Sequence, residues 1–323
     1  MLRHETPSTA SADAGLRHPP LPSLTALVDQ VSTIVVGKRE QIGLCVTCLL
    51  AGGHLLIEDV PGVGKTTLSQ ALARSLGLQF ARVQFTADLL PTDLIGVSVF
   101  ERQKEGFVFH PGPVFAQVLL ADEVNRAGPR TQSALLEAME ERQVSVDGVT
   151  HALPSPFFVI ATQNPSEQLG THALPESQLD RFALRLSLGY PSLHDERELL
   201  AGADRREALL SLPAVMSPDD WRTWQSRVGE VHVADALLDY LLELINMTRN
   251  GRWFTQGLSP RAGQSLLRLA RARALLHGRQ HVSPEDLQAL WVPAVAHRLP
   301  PLPSSGRLAD AQARAMLEAC PVP

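Results

Sequence analysis

Residues 54–68 read HLLIEDVPGVGKTTL: a short apolar run, a glycine loop, Gly64-Lys65-Thr66, and the opening of a longer segment. The run is β-rich, as a strand buried on both faces should be, and Leu68, Leu72 and Leu76 recur on one helical face. Strand, loop and helix in that order form a phosphate cradle. Backbone N–H groups of Gly62, Val63, Gly64 and Lys65 can turn inward onto phosphate oxygens, and the helix N-terminus adds its positive dipole. Lys65 would reach the β- and γ-phosphates, and Thr66 would offer its hydroxyl to Mg²⁺. The full pattern G-x-x-x-x-G-K-[ST] needs Gly five residues before Gly64, where this chain has Asp59. A carboxylate there is unfavourable unless it points away at the strand end. An ordinary αβ turn is the weaker reading.

Outward from the loop, residues 24 to about 190 alternate strand-like and helix-like segments. ARVQF, VLLAD and PFFVIAT read as further strands, KTTLSQALARSL and RTQSALLEAMEER as helices, so the sheet is mostly parallel. The strand VLLADE ends in Asp122 and Glu123. Alternation would point the two acids to opposite sides, one for the Mg²⁺ shell and one to activate water. PFFVIATQN ends in Asn164, an amide placed to orient that water or sense the γ-phosphate. Arg181, in LPESQLDRF, opens onto another strand, and Arg261 starts the helix SPRAGQSLLRLARARALL. Phosphoryl transfer is mostly positioning and charge stabilisation, so guanidinium groups near the γ-phosphate are expected.

After Pro191 the strand signals stop. Ser192, Ser217, Ser259 and Ser283 each stand at a probable N-cap, and Pro218, Pro260 and Pro284 follow at N1. A small all-helical unit is therefore expected over 191 to about 300, then a proline-rich break and a short helix within 301–323. Residues 1–22 read as a flexible tail.

The 323 residues are 44 % hydrophobic and 20 % charged, which fits a globular chain and excludes a disordered or fibrous one. No apolar run is long enough to span a membrane, and the N-terminus lacks the apolar region of a secretory signal, so a cytoplasmic setting is expected. Net charge is −5, which argues against non-specific attraction to nucleic acid. Of 29 basic residues only Lys38, Lys65 and Lys104 are lysine, and one of them sits on the loop. Cys45 and Cys48 form a C-x-x-C inside an apolar run; helical spacing favours two small core hydrophobes over a redox or metal pair.

Together EDVPGVGKT, LLADEVNR, FFVIATQNP, LPESQLDRF and LSPRA resemble the AAA+ ATPases, and specifically the MoxR family, over roughly residues 24–320. LLADEVNRAGPRTQSALLEAMEERQVSVDG is especially similar to the MoxR pattern. The resemblance implies a P-loop NTPase fold: an α/β core over 23–190 with a mostly parallel sheet and helices on both faces, followed by a helical lid over 191–300. It implies ATP/ADP and Mg²⁺ as ligands. Gly37, Pro61, Gly62, Val63, Gly64, Lys65, Thr66 and Thr67 would touch nucleotide, with Lys65 and Thr66 in Walker A. Asp122 and Glu123 would be Walker B, Thr66 and Asp122 holding the metal and Glu123 polarising water. Asn164 resembles sensor 1, Arg181 the arginine finger acting on a neighbour's nucleotide, and Arg261 sensor 2, in its own subunit or across the interface. Residues 86–113 look like the helix-2 insert of this clade. QVSVDGVTHALP, within 143–154, resembles the hairpin before sensor 1, with Asp147-Gly148 as a two-residue turn. In related machines both face the ring centre and touch the client; plain surface hairpins are the alternative.

From Leu244 to Pro284 the chain carries seven arginines and no acid. They read as a helix face with sensor 2, supporting nucleotide binding and subunit packing against acidic neighbours such as 195–207; a docking face for an acidic partner is second, and nucleic acid last. The whole implies a Mg²⁺-dependent ATPase in a hexameric ring, remodelling or activating partner proteins, often ones with a von Willebrand factor A domain. A nucleic-acid motor and a nucleotide-gated scaffold with little turnover are the rivals.

Overall fold

The computed structural model describes residues 22–164, 171–201, 205–306 and 308–322. All but Pro22 of the tail expected over 1–22 lies outside them. Helices α1 (Leu24–Ile34) and α2 (Arg39–Leu50) lead into strand β1 (His54–Glu58) and helix α3 (Lys65–Ser75). Next come β2 (Phe80–Gln84), α4 (Pro91–Ile95), β3 (Gly96–Glu101), β4 (Gly106–Pro111), β5 (Val118–Asp122) and α5 (Pro129–Glu141). The α/β part closes with β6 (Gln143–Val146), β7 (Val149–Ala152), β8 (Phe158–Gln163), α6 (Glu176–Leu179) and β9 (Phe182–Leu186).

Five of these strands form one sheet in the order β2-β5-β8-β1-β9, every neighbouring pair parallel. Parallel strands need crossover helices, which cover both faces and make the strands apolar throughout. Side chains alternate accordingly. Leu55, Ile57, Leu120 and Ile160 join a core with α1, α2 and α3, whereas Leu56, Leu119, Val159 and Ala161 pack towards α5. The predicted helix face holds, with Leu68, Leu72 and Leu76 fully buried.

All described elements after Leu186 are helical: α7 (Leu193–Ala201), α8 (Arg205–Leu210), α9 (Pro218–Arg227), α10 (Asp235–Arg249), α11 (Pro260–Leu276), α12 (Pro284–Val295) and α13 (Ala309–Ala319), with short 3₁₀ turns between. The serine caps work as read. Ser192 Oγ accepts from Asp195 N at 3.2 Å, Ser217 Oγ from Asp220 N at 3.2 Å and Ser259 Oγ from Ala262 N at 3.1 Å. At Ser283 the N–H donates to Asp286 Oδ2 at 3.0 Å, the return half of a capping box. This lid shares its core with α1–α3: Trp221 of α9 meets Phe158 of β8 edge-on, and buried Trp291 of α12 donates its indole N–H to Ala313 O on α13 at 3.2 Å. Burying an indole of roughly 200 Å² contributes about 5 kcal/mol before entropy is charged.

Cys45 and Cys48 are free and fully buried; burial pushes the Cys48 thiol up to about 12 and the Cys45 thiol further. They are core residues. Among the described residues no helix is long and apolar enough to cross a membrane.

Candidate active site

The loop between β1 and α3 is built on two glycines in the left-handed region, Gly62 at φ +86° and Gly64 at φ +94°. A side chain at either would be strained by the backbone alone, because its Cβ would meet nothing within 4 Å. Gly64 caps α3, so the helix's first free N–H groups open onto the loop. Lys65 Nζ folds over the cradle, donating to Asp59 O at 2.6 Å and Val60 O at 3.3 Å. Burial lowers its pKa, opposed by the nearby carboxylates of Asp59, Asp122 and Glu123. Pro61 stands at the exposed tip, Val63 packs against the core, and Thr66 and Thr67 form the first turn of α3, half-buried.

Asp59 does point away. Its Oδ2 accepts from Leu188 N at 2.6 Å, Gly189 N at 2.7 Å and Ser187 Oγ at 2.9 Å, while Oδ1 accepts from Val60 N at 2.9 Å. Burial alone would raise its pKa; these donors outweigh burial and hold it below 3.8. The departure from the loop pattern is thus an anchor to the chain leaving β9.

Strand β8 lies between β1 and β5, so its tip stands between the loop and the acidic pair. Asp122 ends β5, but the alternation expected for Glu123 stops there: Glu123 has φ +56° and has already left the strand. Thr162 of β8 fixes both acids, its hydroxyl donating to Asp122 Oδ1 at 2.5 Å and accepting from Glu123 N at 2.9 Å. Arg82 of β2 holds Asp122 Oδ2 at 2.7 Å, and Arg126 Nε pairs with Glu123 Oε2 at 3.0 Å. Asn164 follows β8, 5 % exposed, one residue past Gln163, whose carbonyl accepts from Asp59 N at 3.2 Å. Loop, acids and amide therefore meet at the C-terminal edge of the sheet, where ligands of open α/β sheets bind. Gly37 is in the turn between α1 and α2 at φ +70°, against the Asp195 carboxylate at the start of α7.

The two arginines occupy the other edge. Arg181 immediately precedes β9, and Phe182 is in register with His54, the first residue of β1. A strand's length of about 15 Å separates that edge from the loop. Arg261, in the first turn of α11, comes to the same place. Both guanidinium groups pair with Glu140 near the end of α5, Arg181 on one carboxylate oxygen and Arg261 on the other. They line an open cavity of about 560 Å³ with Arg142, Arg268 and Arg298.

Part of the arginine-rich stretch is already paired within the chain. Arg273 and Arg279 pair with the fully buried Asp286 at 2.6 Å each, Arg249 donates to Leu258 O, and Arg261 takes Glu140. Within 195–207, Arg205 pairs with Glu198 at 3.0 Å. Sequence reasoning passed over Thr162, Arg82, Asp59 and Glu140 as site residues. Thr162 is legible as a hydroxyl on the same strand two residues before the expected Asn164; the partners of Arg82 and Glu140 come from elements distant in sequence.

A model of the ATPase family associated with various cellular activities matches residues 54–184, and one of the AAA lid domain matches residues 246–318. An uncharacterized protein, YeaC of Bacillus subtilis, is 44 % identical over 94 % of this chain and 95 % of its own length. Chaperone MoxR1 of Mycobacterium tuberculosis is 38 % identical over 92 % of this chain and 83 % of its own. The chain belongs to the MoxR family of AAA+ ATPases. A crystal structure of a putative ATPase from Cytophaga hutchinsonii superposes with a TM-score of 0.84 at 34 % identity, covering 93 % of this chain and 94 % of the other.

This MoxR-family chain also carries two hairpins. β3 pairs β4 antiparallel, and β6 pairs β7 through Asp147 at φ +51° and Gly148 at φ +78°, the doubly positive turn that Asp-Gly favours. Phe109 of β4 stacks on His151 of β7 at 3.9 Å, joining the hairpins, while Val97, Val99, Phe100 and Phe107 stay exposed.

Proposed function

We propose that this chain is a Mg²⁺-dependent ATPase that works as a ring, a hexamer, with each nucleotide between two subunits, and that it remodels or activates a partner protein in the cytoplasm. One observation carries the reading: the phosphate loop and the arginine pair stand at opposite edges of one sheet, so a complete site takes two subunits. Gly37 and Pro61–Thr67 contact the nucleotide, the backbone N–H groups and Lys65 taking the phosphates. The glycine cradle with a helix N-terminus fits a triphosphate, and the hydroxyl of Thr66 and carboxylate of Asp122 are hard oxygen donors that would hold Mg²⁺. When bound, that ion neutralises phosphate charge. Glu123 takes the proton of the attacking water, and Asn164 orients that water. The neighbour's Arg181 and Arg261 stabilise the charge that develops on the γ-phosphate.

The name of the mycobacterial relative, a chaperone, and the exposed apolar residues of the β3–β4 hairpin support a protein client, one with a von Willebrand factor A domain among the candidates. The net charge of −5 disfavours a nucleic-acid motor. The acid pair braced by Thr162 disfavours a scaffold without turnover.

The test is ATP turnover against protein concentration. The specific rate should rise with concentration, fall on the order of a hundred-fold in Glu123→Gln and Arg181→Ala, and recover when wild type is mixed with Arg181→Ala. A rate independent of concentration and indifferent to Arg181 refutes the shared site.

A further inference from the structure

Arg181 and Arg261 come from elements far apart in sequence, yet their guanidinium groups share one carboxylate, one arginine on each oxygen of Glu140. Two adjacent cations repel, and Arg181 registers it: burial lowers its pKa first and Arg261 lowers it further, while Glu137 opposes. A carboxylate between them removes that repulsion and sets their spacing. The arrangement leaves an excess of one positive charge on the triad, facing the open cavity. Arg181 Nε is buried without a hydrogen-bond partner. The pairs contribute little to folding: Glu140 and Arg181 side chains are each 29 % exposed and Arg261 is 56 % exposed, a setting in which ion pairs are worth about 0–1 kcal/mol.

We infer that Glu140 is a positioning residue, a clamp that holds Arg181 and Arg261 side by side so that one subunit presents both guanidinium groups to a single phosphate of its neighbour. This rests on the two-subunit reading above. In this role Glu140 acts through the arginines rather than on the nucleotide. A glutamine at this position keeps one carbonyl acceptor, enough for one arginine, and adds an amide that repels the other.

The full-length chain tests this in four forms: wild type, Glu140→Gln, Glu140→Asp and a donor variant, Lys65→Ala, which lacks the loop lysine but keeps the clamp and both arginines. Glu140→Gln should lose kcat on the order of ten- to a hundred-fold, with little change in the KM for ATP because its own phosphate loop is intact. Glu140→Asp should recover part of the loss, and assembly size and Tm should stay near wild type. Lys65→Ala subunits mixed with Glu140→Gln should raise the specific rate, because they supply clamped arginines to intact loops; Arg181→Ala subunits mixed with Glu140→Gln should not. An unchanged or raised kcat in Glu140→Gln overturns the clamp. So does a loss that Lys65→Ala cannot rescue although it rescues Arg181→Ala, or a loss that merely follows a fallen Tm. If Lys65→Ala fails to rescue Arg181→Ala itself, the two-subunit reading fails and the clamp falls with it.

Discussion

The carboxylate of Asp59, beneath the phosphate loop, accepts the backbone N–H of Leu188 at 2.6 Å, tying the loop to the chain that leaves β9 for the lid. Four donors converge on this one side chain, which is 7 % exposed. Loop and lid connection therefore share a fastening, and a shift of one is felt by the other.

Asp59→Ala is expected to destabilise the fold by about 1–3 kcal/mol, because the buried N–H of Leu188 and the half-buried N–H of Gly189 lose their acceptor. The pH dependence has a definite sign. The folded-state pKa lies below 3.8, so Asp59's contribution is present at neutral pH and is lost only as pH falls through that lowered value. Asp59→Ala should therefore narrow its stability gap to wild type in acid. Urea titrations at pH 7 and pH 3 check it; a gap that widens in acid refutes the assignment.

Thr162→Val keeps the shape of a fully buried side chain and removes only its hydroxyl. Asp122 loses one of its partners and Glu123 N loses its acceptor, so the acids should drift while the loop stays intact. ATP turnover is expected to fall on the order of ten- to a hundred-fold with nucleotide affinity nearly unchanged. Rate and equilibrium binding, measured on one preparation, separate the two.

The alternating strands, the Gly62–Thr66 loop and the serine caps were legible because each is a local pattern with a local cause. The strand tips followed, since parallel strands must end at a common edge. Strand alternation does not reach Glu123, whose positive φ places it beyond β5. Counter-ions were not legible. Glu140 meets Arg181 and Arg261, and Asp286 meets Arg273 and Arg279, only after α5, β9, α11 and α12 have packed. The net charge of the arginine-rich stretch suggested an acidic surface elsewhere, whereas one buried aspartate absorbs two of its cations.

The hairpin tip makes a separate case. Phe100 and Phe107 face each other across β3 and β4 with centroids 5.5 Å apart, and they are 54 % and 75 % exposed. Such a pair contributes only about 0.5–1 kcal/mol, so Phe107→Ser should move Tm by a few degrees at most. It should lower the fluorescence of an apolar dye bound to the native protein. A large fall in Tm would mean that the ring is packed into the fold and not offered to a partner.

Asp286 is the strongest single test of what holds the lid together. Its side chain is fully buried, takes Arg273 and Arg279 at 2.6 Å each, and closes the capping box of α12 by accepting from Ser283 N. Burial alone would raise its pKa; Arg279, the Ser283 N–H and Arg273 together hold it below 3.8. Asp286→Ala strands two partly buried guanidinium groups and opens the cap, at a cost of about 3–5 kcal/mol. Asp286→Asn should cost less, because an amide oxygen can still accept from Ser283 N. The charged pair stabilises at neutral pH and fails as pH drops through the depressed value, so wild type should lose its advantage over Asp286→Asn only in strong acid. Thermal melts of both variants between pH 7 and pH 3 measure this, and equal melting of wild type and Asp286→Ala at pH 7 would remove the aspartate from the lid's framework.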